Sequence, residues 1–256
     1  MIEVFEVTLP ALTGDKPRRA YVYLPEELLE EDEERRFPVL YMFDGHNVFF
    51  DEDATYGKSW GMGEYLDAHR VPLIVAAVEC DHDPKHGRIK EYAPYPFFDF
   101  RLGAIEAKGP RTMDWLTQVF KPEIDRRYPT IPDREHTFIA GSSMGALMSL
   151  YAACCFNETF SRAAALSPAL ELPVHGLEKL LRRAKPARDT VIYTDMGEKE
   201  LKWPGAGRRF RRLCDLLQEK QIKLTARLVP GGEHNEASWE KQIPFFLPAL
   251  LYDLED

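Results

Sequence analysis

Ser143 is the residue of this chain whose neighbours best suit nucleophilic chemistry. It lies at the centre of Gly141-Ser142-Ser143-Met144-Gly145, a G-x-S-x-G pattern between an apolar run that ends at Ala140 and a helix-forming segment that begins at Ala146. A strand, a sharp turn and a helix form the context in which this pattern exposes a serine hydroxyl at the edge of a sheet. We therefore predict that Ser143 is a catalytic nucleophile.

A serine hydroxyl reacts only when a nearby base removes its proton. Of the seven histidines, His234 lies in a glycine-rich loop between the last predicted strand, which ends near Val229, and the last predicted helix. Reacting groups in an open parallel sheet collect at the carboxyl ends of the strands. His234 and Ser143 would both lie at that edge, so we predict that His234 is the general base.

The imidazole in turn needs a carboxylate that orients it and stabilises its cation. A predicted strand ends near Asp195, and Glu198 and Glu200 follow it closely. We favour Glu200, because it lies far enough into the loop to turn back toward His234. Asp195, which still belongs to the strand, and Glu198 remain alternatives.

An ester carbonyl develops negative charge on its oxygen during attack, and preorganised N–H groups stabilise that charge. The backbone N–H of Met144, directly after the nucleophile, is one predicted donor. The loop after the apolar strand that ends at Phe43 contains Asp44-Gly45-His46, and Gly45 allows a close backbone approach. We predict that the His46 N–H is the second donor.

The order of elements indicates how these residues are positioned. An antiparallel pair, Ile2–Leu9 and Arg19–Leu24 with a turn at residues 13–17, precedes a regular alternation of strands and helices from Pro38 onward. Such alternation predicts a mainly parallel sheet with helices on both faces. The chain order serine, acid, histidine is that of the α/β-hydrolases. We expect residues 1–256 to form one domain of this fold class.

Composition excludes several classes of function. A net charge of −9 argues against a nucleic-acid partner, and no apolar run approaches the roughly 20 residues of a membrane span. The N-terminus lacks the pattern of a signal peptide, and the four cysteines show no metal-ligand spacing, so we expect a cytoplasmic protein with free thiols. Asp81-His82-Asp83 and His86 read as an acidic turn, and we predict neither a metal nor a cofactor.

Several segments together resemble the putative-esterase family of α/β-hydrolases, which includes esterase D, enterochelin esterases and feruloyl esterases. The similar segments are VLYMFDGHNVFF (39–50), RIKEYAP (88–94), FKPEID (120–125), AGSSMGAL (140–147), LSPA (166–169) and GGEH (231–234). The resemblance implies a serine carboxylic-ester hydrolase in which Ser143 is the nucleophile, His234 the base, and the His46 and Met144 N–H groups the oxyanion donors. An acid a few residues after the glycine that ends the strand suits Glu200.

The substrate is expected to be a small-molecule ester. An aromatic segment, Tyr92 to Phe100, is a candidate wall of the substrate pocket, with Trp60, Tyr92 and Trp239 as the predicted contacts. The same triad would also serve an acyltransferase, and a non-catalytic binding module could share the fold. The sequence does not choose among feruloyl, acetyl, siderophore and thioester substrates, and a homo-oligomer is compatible with it.

Overall fold

A central sheet of eight strands, in the order β1-β2-β4-β3-β7-β8-β9-β10, forms the framework of the molecule. The structure is a computed structural model and describes residues 1–32, 34–172 and 175–254. A separate ribbon pairs β5 with β6. The strands are β1 (Ile2–Leu9), β2 (Gly14–Tyr23), β3 (Val39–Met42), β4 (Ile74–Val78), β5 (Phe97–Asp99), β6 (Gly103–Ile105), β7 (Thr137–Ser142), β8 (Arg162–Leu166), β9 (Val191–Gly197) and β10 (Lys223–Val229).

The sheet is antiparallel at one edge and parallel elsewhere. Strands β1 and β2 pair antiparallel, β2 joins β4 antiparallel, and β4, β3, β7, β8, β9 and β10 all run parallel. The predicted N-terminal pair and the mainly parallel sheet are therefore confirmed. The predicted turn was placed too late, because a short helix connects the two strands and β2 already begins at Gly14.

Helices cover both faces of the sheet. They are α1 (Pro10–Thr13), α2 (Glu26–Glu31), α3 (Met62–Ala68), α4 (Gly87–Glu91), α5 (Gly109–Trp115), α6 (Lys121–Arg127), α7 (Met144–Cys155), α8 (His175–Arg183), α9 (Ala206–Gln218), α10 (Glu236–Glu240) and α11 (Ile243–Leu251). Short 3₁₀ turns occupy Gly45–Asn47 and Glu198–Lys202. Among the residues described, no helix has the length and apolar character needed to cross a bilayer.

Alternate side chains of the buried strands enter two separate cores. In β3, Val39 and Tyr41 belong to one core, whereas Leu40 and Met42 belong to the other. The first core lies under α5 to α9, and the second lies under α3, α10 and α11. Both faces of the strand are therefore buried from solvent, which explains its uninterrupted apolar sequence.

Two prolines mark changes in helix geometry. A π-helical turn, Leu116–Phe120, joins α5 to α6 immediately before Pro122, which lacks the N–H of a regular helix interior. The C-terminal helix is interrupted at residues 241–242, just before Pro244. The sequence predicts a kink or break at Pro122 and an interruption near Pro244 or Pro248, and the helix continues through Pro248. The segment from Glu79 to Arg101, which reads as irregular, instead contains α4 and β5.

A buried ion pair attaches the segment after β4 to the sheet. Arg18 of β2 places Nη1 2.7 Å from both carboxylate oxygens of Glu91 at the end of α4, and both side chains are almost fully buried. The backbone N–H of Asp81 also donates to Glu91 (3.1 Å). Glu91 therefore holds both ends of the 81–91 segment in place.

We predict that Glu91→Ala destabilises the fold by about 3–5 kcal/mol, because it leaves the Arg18 guanidinium buried without its counter-ion. The measurement is the free energy of unfolding from urea titration. The matched control is Glu123→Ala, which removes an exposed ion pair with Arg126 on α6 and should leave the midpoint near that of the wild type. Equal urea midpoints of unfolding for the two variants would contradict the structural role of Glu91.

Candidate active site

Ser143 occupies the turn between β7 and α7 in a strained backbone conformation. Its φ is 56° and its ψ is −117°, a region that non-glycine residues rarely adopt. Two backbone hydrogen bonds hold this conformation, since Ser143 N–H donates to Leu166 O (3.0 Å) and Ala169 N–H donates to Ser143 O (3.2 Å). The predicted strand, turn and helix around Ser143 are thus confirmed.

Two glycines allow the turn to close. A Cβ atom at Gly141 would lie 2.8 Å from the carbonyl carbon of Gly145, closer than real Cβ atoms approach backbone. A Cβ atom at Gly145 would lie 3.1 Å from Cβ of Phe43 and 3.6 Å from Oδ2 of Asp44. The loop after β3 therefore packs directly against the first turn of α7.

His234 follows β10 and contacts the predicted acid. Its Nδ1 lies 2.8 Å from Oε2 of Glu200, which is 2% exposed. The imidazole lies between two indole rings, with centroids 5.3 Å from Trp203 and 5.1 Å from Trp239. This arrangement fixes the orientation of the ring and leaves Nε2 as the nitrogen that Glu200 does not engage.

The Glu200 carboxylate accepts two further hydrogen bonds. Ser167 Oγ donates to Oε1 (2.6 Å), and the Gly197 N–H donates to the same oxygen (2.8 Å). Burial by itself would raise the pKa of this carboxyl, but the hydrogen bonds from His234, Ser167 and Gly197 outweigh it, and the pKa lies below its ordinary value. Glu200 is therefore an ionised, fully hydrogen-bonded partner for an imidazolium.

The two alternative acids are engaged elsewhere. Asp195 accepts from the Ser167 N–H (3.1 Å) and from Tyr193 OH (3.0 Å), and burial raises its pKa to about 6. Glu198 accepts from the Gly231 N–H (2.8 Å) at the surface. Of the three candidates, the structure places Glu200 against His234.

The two predicted oxyanion donors lie on neighbouring segments. Met144 is the first residue of α7, where backbone N–H groups lack an intrahelical acceptor. His46 lies in the 3₁₀ turn that follows Phe43 and Asp44, the two residues that lie against Gly145 of that helix. Asp44, with φ of 57°, begins this turn. Arg88 holds Asp44 through two parallel hydrogen bonds of 2.6 and 2.7 Å, and the Asp44 N–H donates to Tyr92 OH (3.1 Å).

An open cleft of about 680 Å³ joins these groups. Ser143, Ser142 and His234 line it together with side chains from the loops after β3, β4 and β10. These include His46, Asn47, Asp81, His82, Asp83, His86, Arg88, Glu236 and Trp239. Most of these residues have polar or charged side chains, although apolar atoms contribute the larger part of the exposed lining.

The predicted substrate contacts are only partly brought to this cleft. Trp239 lines it, whereas Trp60 packs behind Trp239 with ring centroids 5.9 Å apart and Tyr92 is buried against Phe43 (5.0 Å). Trp60 and Tyr92 therefore lie away from the cleft, contrary to the prediction that they contact the substrate. Both rings fill the interior, where burial of their large apolar surface stabilises the fold.

Sequence reasoning also missed residues that support the site. Ser167 joins Glu200 to Trp239, whose Nε1 donates to Ser167 Oγ (3.1 Å), and Arg88 anchors the turn that carries His46. The segments that contain Ser167 and Arg88 contributed to the family resemblance. They carried no signal of these contacts, because each partner lies far away in the sequence.

A family model described as Putative esterase matches residues 13–250. This chain belongs to that family. It is a serine esterase with the α/β-hydrolase fold, as the sequence analysis expected.

Solved structures similar to this esterase include a ferulic acid esterase, at 17% identity and a TM-score of 0.69, covering 98% of this chain and 97% of that one. An S-formylglutathione hydrolase from Staphylococcus aureus matches at 16% identity, a TM-score of 0.67, and 98% and 97% coverage. The enterobactin esterase from Shigella flexneri matches at 19% identity and a TM-score of 0.70, covering 98% of this chain and 58% of that one. At these identities the likeness shows the shared fold.

We predict that Arg88→Lys lowers kcat of this esterase on p-nitrophenyl acetate by about 10- to 100-fold, because lysine cannot make the two-pronged contact that positions Asp44 and the adjoining turn. The matched control is Arg101→Lys, which alters an exposed Arg101–Asp99 pair on the β5–β6 ribbon. An unchanged kcat in Arg88→Lys would exclude a positioning role for this arginine.

Proposed function

We propose that this esterase hydrolyses small carboxylic esters through a covalent acyl-enzyme on Ser143. His234 acts as general base and acid, and Glu200 orients and stabilises its imidazolium. The observation that carries the proposal is the 2.8 Å contact between His234 Nδ1 and Glu200, in a cleft that Ser143 also lines. This contact occupies one ring nitrogen and leaves Nε2 to exchange a proton with the serine.

In the first half-reaction, His234 Nε2 removes the proton of Ser143 Oγ as the oxygen attacks the ester carbonyl carbon. The carbonyl electron pair moves onto oxygen, and the N–H groups of Met144 and His46 stabilise that charge. The intermediate then collapses, the bond to the alcohol oxygen breaks, and the imidazolium returns its proton to the departing alcohol. Ser143 remains as an ester of the acid.

In the second half-reaction, His234 removes a proton from water as the water oxygen attacks the acyl carbon. The bond to Ser143 Oγ then breaks, the imidazolium returns its proton to that oxygen, and the carboxylic acid leaves. The cleft of about 680 Å³ is open to solvent, which supports water as the acceptor, because water can reach an acyl group on Ser143 directly. We therefore propose hydrolysis and not acyl transfer.

The charges of the cleft favour some esters over others. Asp81, Asp83 and Glu236 line it, and Arg88 is already paired with Asp44. A strongly anionic substrate would meet an unfavourable potential there. We propose neutral or cationic esters as the substrate class.

We predict that Ser143→Ala lowers kcat/KM on p-nitrophenyl acetate by at least about 10⁴-fold while circular dichroism and thermal unfolding stay near those of the wild type. A fluorophosphonate probe should add one adduct to the wild-type mass and none to the variant. Wild-type rates in the variant, or labelling at another residue, would refute Ser143 as the nucleophile.

We predict that Glu200→Gln lowers kcat by about 10³- to 10⁴-fold, because the amide leaves the imidazolium without a counter-charge and can favour the wrong ring tautomer. Asp195→Asn is the matched control, since Asp195 is equally buried but contacts Tyr193 and Ser167 and not His234. Its kcat should stay within a few fold of the wild type. The reverse ranking of these two variants would move the acid role to Asp195.

A further inference from the structure

Three side chains that commonly bind metals meet in the wall of the cleft. A ring nitrogen of His46, the sulfur of Cys80 and a ring nitrogen of His82 all lie within 4.8 Å of one another. His46 follows β3, and Cys80 and His82 follow β4, the strand that pairs with β3 in parallel. All three residues line the open cleft, so an ion could reach them from solvent.

The His46 ring carries a polar atom with no protein partner. His46 is 4% exposed, its Nε2 lies 3.0 Å from Thr55 Oγ1, and its Nδ1 is buried without a hydrogen bond. The ring also meets that of His82 edge-on, with centroids 4.8 Å apart. A buried ring nitrogen without a partner is unfavourable by itself, and a metal ion would satisfy it.

We propose that His46, Cys80 and His82 form a binding site for a transition-metal ion of the zinc class. One thiolate and two imidazoles match the ligand preferences of Zn²⁺, and three protein ligands leave a fourth tetrahedral position for water. Zinc bond lengths of about 2.3 Å to sulfur and 2.0–2.1 Å to nitrogen place ligand atoms about 3.4–3.7 Å apart. Closing the cluster from at most 4.8 Å needs a shift of about 1 Å. His82 is exposed and free to make it.

The local charges support a bound cation. Burial and the Asp44 carboxylate raise the pKa of the Cys80 thiol, and the same carboxylate favours positive charge at the His46 ring. Asp81 and Asp83 flank His82 in the sequence and line the same cleft, whereas Arg88 opposes a cation but is paired with Asp44. On binding, the Cys80 S–H bond breaks, its proton passes to solvent, and the thiolate sulfur donates an electron pair to the ion.

The test is a Co²⁺ titration of the tag-free protein, with Zn²⁺ added afterwards as a competitor. We expect one bound Co²⁺ per chain, with thiolate-to-cobalt charge-transfer absorption and the strong visible bands of tetrahedral cobalt, all lost when Zn²⁺ displaces it. Cys80→Ser should abolish the charge-transfer band. His82→Ala should raise the Kd for Co²⁺ at least about 100-fold.

Two matched controls isolate the cluster. Cys155→Ser removes an exposed thiol, and His86→Ala removes another histidine of the cleft; both should bind Co²⁺ as the wild type does. Ser143→Ala should also bind normally, so the outcome is independent of the esterase mechanism. Because His82 is exposed, His82→Ala decides the question even if Cys80→Ser does not fold.

Absence of the charge-transfer band in the wild type would overturn the proposal. Wild-type Co²⁺ affinity in His82→Ala, or loss of the band in Cys155→Ser but not in Cys80→Ser, would overturn it as well.

Discussion

The candidate site depends on the hydrogen bonds that the buried carboxylate of Glu200 accepts. This carboxylate accepts hydrogen bonds from Ser167, just after β8, from Gly197 at the end of β9, and from His234, just after β10. The parallel register pairs Leu166 with Asp195 and Gly197 with Val229, so these three strands end at the same edge of the sheet. A carboxylate buried without such partners would be strongly unfavourable, which ties its position to the strand order.

Three residues with strained backbone lie at the same edge. Asp44, Ser143 and Ser167, which follow or end β3, β7 and β8, all have positive φ between 43° and 57°. Each such conformation costs of the order of 1–3 kcal/mol and persists only where surrounding structure fixes it. Here the sheet fixes it, because the Ser143 N–H donates to Leu166 and the Ser167 N–H donates to Asp195. Backbone hydrogen bonds between the strands therefore hold the residues of the candidate site in place.

Two ion pairs connect the loops that form the wall of the cleft. The Arg18–Glu91 pair attaches the segment after β4 to β2, and the Arg88–Asp44 pair attaches the same segment to the turn after β3. These pairs hold the two loops that carry His46, Cys80 and His82 next to each other. The charged side chains in this wall and the position of the proposed metal site thus both depend on the same ion pairs.

The sequence predicted what local patterns encode. The apolar run, glycine-flanked turn and helix around Ser143, the alternation of strands and helices, and the helix interruption before Pro244 all appear where expected. Each depends on periodicity or on the chemistry of glycine and proline within a few residues. The assignment to an esterase family was likewise available from short motifs, and the family model agrees with it.

Other features depended on packing between distant segments. Composition alone placed Trp60 and Tyr92 at the substrate, whereas their burial was decided by the cores on either side of the sheet. The contact of Ser167 with Trp239 and the proximity of His46 to Cys80 join residues that are more than 28 positions apart. Whether Glu200 or Asp195 contacts His234 likewise depends on distant segments. The sequence by itself therefore determined the family, the fold and the residue types available for chemistry. Only the tertiary structure decided which of these residues lie in contact. Strand order and register set the distances between the loops, and no local sequence pattern encodes strand order or register.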